Sequence, residues 1–85
     1  MGIMERERHA AKGRLMELEE EARNLRLSIK GDIAAVRSML DPYGDEAELN
    51  IAAAAQQNLD AYKKQKRLNE LLAKIKGIKR DLGED

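Results

Sequence analysis

Few side chains in this chain of 85 residues could do chemistry, and their spacing limits what kind. There is one histidine, His9, with two serines, Ser28 and Ser38, and no cysteine. A nucleophilic serine needs a base within hydrogen-bond reach, and a metal needs several converging donors. His9 has neither a second histidine nor a pair of carboxylates at ligand spacing nearby, and no glycine-rich phosphate loop occurs. The expectation is a protein without catalytic, metal or cofactor-binding residues. The acidic residues Asp41, Asp45, Glu46 and Glu48 surround Pro42, Tyr43 and Gly44. A calcium loop is one reading, but the twelve-position ligand pattern of an EF-hand is missing. Helix capping explains them better, because Asp45 followed by Glu48 matches a pattern in which carboxylates satisfy the first amides of a helix.

The remaining chemistry is electrostatic. A net charge of zero hides a gradient: residues 1–31 carry a net +1, residues 32–60 a net −5 and residues 61–85 a net +4. Lys63, Lys64, Lys66, Arg67, Lys74 and Lys76, with Lys79 and Arg80 beyond them, could contact phosphates in a salt-sensitive way. No zinc finger, recognition-helix turn or cluster of stacking aromatics accompanies them. Nucleic-acid binding by this basic stem is therefore an alternative and not the leading reading.

These residues are positioned by two long arms. With 42% hydrophobic and 38% charged residues and no Trp or Phe, the composition is that of coiled coils and long helices. In the first arm, Met4, Ala11, Leu15, Leu18, Ala22, Leu25, Ile29, Ile33, Val36 and Leu40 fall within roughly one 80° arc of a helix. Gly31 interrupts it without shifting its phase, at a helix-propensity cost of about 1 kcal/mol relative to Ala. Gly13 and Gly31 lie away from the stripe, where solvent exposure explains them better than close helix contact. In the second arm an alternation of three and four residues selects Ile51, Ala54, Asn58, Ala61, Gln65, Leu68, Leu72, Ile75, Lys79 and Leu82. Pro42 lacks an amide hydrogen and biases Asp41 away from helical geometry, while Gly44 supplies freedom for a reversal. The fold expected is all-α, an antiparallel two-helix hairpin: helix about 3–40, a hinge at Asp41, Pro42, Gly44 and Asp45, and helix about 46–82. Residue i of the first arm would face roughly residue 87 minus i of the second, matching the two stripes along their length. Asn58 and Gln65, polar positions in the stripe, would then fix register or lie at its edge. The same register sets Glu17 to Glu21 across from residues 66–70, so part of the basic stem is neutralised internally.

A second apolar stripe, Ala52, Ala55, Leu59 and Tyr62, points to another side of the second arm near the hinge, with Ala35 and Met39 on the adjacent flank of the first. A chain of this size, drawn out into a hairpin, hides little apolar surface by itself. The six residues are read as an interface with another hairpin, giving a four-helix assembly. An antiparallel dimer is favoured, since a parallel one stacks like charges. No apolar run approaches the ~20 residues that cross a bilayer, and the first residues contain no hydrophobic signal stretch. The chain is expected to be soluble, unprocessed and, with no cysteine, at home in the cytoplasm.

From Leu40-Asp41-Pro42-Tyr43-Gly44-Asp45 through the Ala-rich stretch to the Leu/Lys/Arg-rich end, residues 29–82 resemble small helical-hairpin proteins of Mu-like phages and prophages. The resemblance implies a phage context and assigns no functional residue. Three functional expectations follow: a self-associating interaction or scaffold module, an accessory nucleic-acid binder, or an inhibitor or adaptor that docks on a host protein.

Overall fold

A computed structural model describes residues 5–41 and 51–83. Two helices account for nearly all of them: α1, Glu5–Met39, and α2, Ile51–Leu82. They pack along each other as a rod of 62 × 16 × 14 Å. Its radius of gyration of 18.8 Å compares with about 12 Å for a compact domain of this length. The rod shape follows from composition, because two long amphipathic helices without bulky aromatics bury one stripe each and nothing more.

α1 stops where Pro42 requires it to, with Leu40 N–H donating to the Val36 carbonyl and Asp41 N–H to that of Ser38 at 3.1 and 3.4 Å. The hinge residues Pro42, Gly44 and Asp45, and the proposed cap by Asp45 and Glu48, lie outside the described residues. At the other end Gly83, at φ 74°, turns the chain out of α2 and donates its N–H to the Arg80 carbonyl. Only glycine adopts that left-handed conformation without cost. Arg8, near the start of α1, donates to the Leu82 carbonyl at 3.0 Å. A guanidinium there satisfies a helix-end carbonyl and complements the dipole of α2, fastening the two helix ends together.

The core runs through the stem, where Leu15, Leu18 and Ala22 of α1 meet Leu68, Leu71, Ile75 and Leu82 of α2. Leu71 is fully buried. The inward positions of α1 are Arg8, Ala11, Leu15, Leu18, Ala22, Leu25, Ile29, Asp32, Val36 and Met39, all buried or half-buried. Those of α2 are Ala54, Gln57, Ala61, Lys64, Leu68, Leu71, Ile75, Ile78 and Leu82. Both follow a regular three-four alternation, as a two-helix seam requires.

This seam differs from the sequence expectation in rotation. Ala54, Ala61, Leu68, Ile75 and Leu82 face inward as expected, but Gln57, Lys64, Leu71 and Ile78 replace Asn58, Gln65, Leu72 and Lys79. In α1, Asp32 and Met39 replace Ile33 and Leu40, which are exposed. The stem explains the change: turning Leu71 and Ile78 inward buries two apolar residues, whereas the other phase buries Leu72 and a lysine. A regular seam carries that phase to the hinge end, where it forces Asp32, Gln57 and Lys64 inward. Facing residues are also offset. The numbers of the bonded pairs Arg8–Leu82, Asp32–Gln57, Glu21–Arg67, Asp32–Lys64 and Glu19–Lys79 sum to between 88 and 98, so residue i lies opposite a position beyond 87 minus i.

Candidate interaction surface

Asp32 is 6% exposed, the one buried polar or charged residue among those described. Its carboxylate accepts from Lys64 Nζ at 2.8 Å on one oxygen and from Gln57 Nε2 at 2.7 Å on the other. Lys64 remains about a third exposed, so its ammonium keeps contact with water while its stem covers apolar surface. The hydrogen bond from Lys64 pulls the Asp32 pKa below its ordinary value; burial opposes this, and the Gln57 bond and the Lys64 charge add to it. No buried side-chain polar atom lacks a partner among the described residues. A paired polar group within an apolar seam disfavours other registers, since sliding either helix strands a buried charge.

The rotation that buries these three groups turns an apolar flank outward. Ile33 and Leu40 of α1, and Ile51, Asn58, Gln65 and Leu72 of α2, stand one residue beyond the seam on the same side. Ile51 is 67% exposed and Ile33 43%. Three open recesses run along this flank. The first is lined by Val36, Leu40, Ile51, Ala54, Ala55 and Asn58. The second adds Ile29, Ile33, Ala61, Tyr62 and Gln65, and the third Arg26, Lys30 and Leu68. Asn58 is shared by the first two, and Ile29, Ile33 and Gln65 by the last two, so they form one groove.

The opposite flank is polar. There Arg67 bonds Glu21 at 3.0 Å and approaches Glu70 at 3.7 Å. Asp60 and Lys74 sit one heptad to either side of Arg67, and Arg14 and Ser28 flank Glu21 likewise.

Of the six residues expected at an outer interface, Ala55 and Tyr62 line the groove. Ala52 and Leu59 are exposed on the back of α2, Met39 is half-buried in the seam, and Ala35 is half-buried on the side of Glu21. The structure therefore divides that patch among several directions. The groove adds Ile33, Leu40 and Ile51, which the sequence reading had spent in the seam.

Of the basic residues, Lys64 is held by Asp32 and Arg67 by Glu21, while Lys66 sits 5.9 Å from the centre of the Tyr62 ring. Lys63, Lys74 and Lys76 are exposed, the first two on one face of α2 and Lys76 on another. Lys79 approaches Glu19 at 3.6 Å. Pairing thus joins the acidic cluster of α1 to the basic stem. His9 is exposed beside Glu5 and Arg6 in an open recess. Among the described residues no group of three or more His, Cys, Asp or Glu converges as a metal site would. No helix among them is long and apolar enough to cross a membrane.

Nothing in the sequence signalled the Asp32 cluster by residue type. One signal was legible: Asp32 follows Leu25 by one heptad, and Lys64 and Gln57 precede Leu71 at the same interval. No family model, curated protein or solved structure matches the chain.

Proposed function

We propose that this chain is a non-enzymatic helical hairpin that associates with itself and serves as an interaction or scaffold module. The observation that carries the reading is the groove. A side of the hairpin that exposes Ile33, Leu40, Ile51 and Tyr62 has the composition of a helix-packing surface, and among the described residues nothing covers it. The recesses are open troughs between helices and do not gather the nucleophile, base and orienting group that catalysis needs.

Sedimentation velocity over a range of concentrations tests the proposal. The unmodified chain sediments as more than one 9.6 kDa copy, Tyr62→Asp shifts it to a monomer, and Met16→Asp, more exposed still but outside the groove, leaves it associated. A monomer at every concentration removes the reading.

The exposed Lys63, Lys74 and Lys76 support a second, weaker reading as a nucleic-acid binder. It is weaker because Lys64 and Arg67 already hold carboxylates and Lys76 lies on a different face of α2 from Lys63 and Lys74. Titration with duplex and single-stranded DNA at low and high salt separates the two. Binding that vanishes with salt supports the second reading, and no binding at low salt removes it.

A further inference from the structure

We infer that the occupant of the groove is a second copy of the chain, lying antiparallel across a two-fold axis at the level of Ile33 and Asn58. The inference rests on the self-association just proposed and adds its geometry.

The flank has a centre. Its outer positions on α1 are Arg26, Ile33 and Leu40, and on α2 Ile51, Asn58 and Gln65, each set spaced by seven. Ile33 and Asn58 are the middle members, and both line the middle recess. An axis there, perpendicular to the rod, lays α1 on α1 and α2 on α2 of the second copy. Ile33 then meets Ile33 and Leu40 meets the aliphatic stem of Arg26. Asn58 meets Asn58. A side-chain amide offers both donor and acceptor, so two amides related by a two-fold satisfy one another. An asparagine at the centre of a helix-packing interface fixes its register in this way.

Charge selects the direction. Over the described residues of the overlapping stretch, residues 21–31 and 60–70 carry a net +4, whereas residues 35–41 and 51–56 carry no net charge. The antiparallel arrangement sets the first group against the second, with Arg26 beside Asp41 of the other copy. A parallel arrangement sets each group against its own kind. One-sidedness sets the stoichiometry: the other flank is charged and internally paired, so the contact is isologous and closes at two copies.

The available area is sufficient. The chain exposes 6667 Å², against about 5,100 Å² for a compact monomer of this mass. A standard interface takes about 800 Å² from each partner, well within that excess. Because the axis lies in the hinge half, the two stems project in opposite directions. The dimer is then longer than either 62 Å rod, on the order of 85 Å at 1.5 Å per helical residue.

The chain has no cysteine, so single-cysteine variants report geometry directly. In a glutathione redox buffer, Asn58→Cys couples to itself, and a mixture of Arg26→Cys with Leu40→Cys yields the mixed disulfide in excess over either self-coupled product. Circular dichroism confirms that each variant is helical. Coupling of Leu40→Cys with Ile51→Cys, with none between Arg26→Cys and Leu40→Cys, is the signature of parallel packing and overturns the arrangement while leaving association standing. A sedimentation monomer with no coupling in any mixture overturns both.

Discussion

Burying Asp32 is tolerable because Lys64 and Gln57 arrive with it. Each carboxylate oxygen has its own donor, and the ammonium keeps a route to water. The pKa of Asp32 lies below its ordinary value, chiefly through the Lys64 hydrogen bond, so the folded chain binds this proton less readily than the unfolded one. The contribution is complete above the ordinary carboxylate range, near pH 4, and is lost as pH falls through the lowered pKa. Urea unfolding at neutral and strongly acidic pH should therefore show a smaller acid-induced loss of stability in Asp32→Asn than in the unmodified chain. An unchanged loss means that the contact adds no pH dependence. The adjacent leucines test the seam in the same way. Leu71→Ala should cost about 2–5 kcal/mol, the range for a buried leucine, and Leu72→Ala clearly less, because Leu72 keeps a third of its surface in solvent. Residue type was a poor guide here. Ile33 outranks Asp32 as a core candidate on hydrophobicity alone, and the seam phase set in the stem reverses the order, with Lys64 and Gln57 pairing the carboxylate it buries.

At the scale of the helices, the two arms and the position of their separation were legible, because Pro42 ends a helix by removing a donor and restricting the residue before it. The rotation of each arm was not. Adjacent apolar pairs such as Leu71 and Leu72 satisfy a three-four alternation in either phase, so the pattern admits two seams one residue apart. What selects between them is the partner of each: Ile78 joins Leu71, whereas Lys79 joins Leu72. That choice is made in the stem and imposed on the hinge end. Gly31 shows how little local propensity matters to it, since the helix runs through without a break. A Cβ at Gly31 would meet no heavy atom within 4 Å. Gly31→Ala should raise stability by up to about 1 kcal/mol in chemical denaturation, without changing the association state. A loss of stability would mean that the position is crowded in the assembly.

The whole molecule is a rod with one fastened seam, one polar flank and one apolar flank. Of the candidate site, Ala55 and Tyr62 were legible as outward-facing residues, and both line the groove. Its main constituents were not, because Ile33, Leu40 and Ile51 become outward-facing only once the seam has turned. Association of such a rod is linked to its folding, because ligation of the native state by a second copy raises its apparent stability by mass action. The proposed Arg26–Asp41 contacts aid it, so raising the salt concentration should weaken it slightly while leaving the apolar contact. The most direct measurement is the thermal unfolding midpoint as a function of protein concentration. It should rise steadily over about two decades of concentration in the unmodified chain and be independent of concentration in Ile33→Asp. A midpoint that does not move with concentration in the unmodified chain would contradict the account.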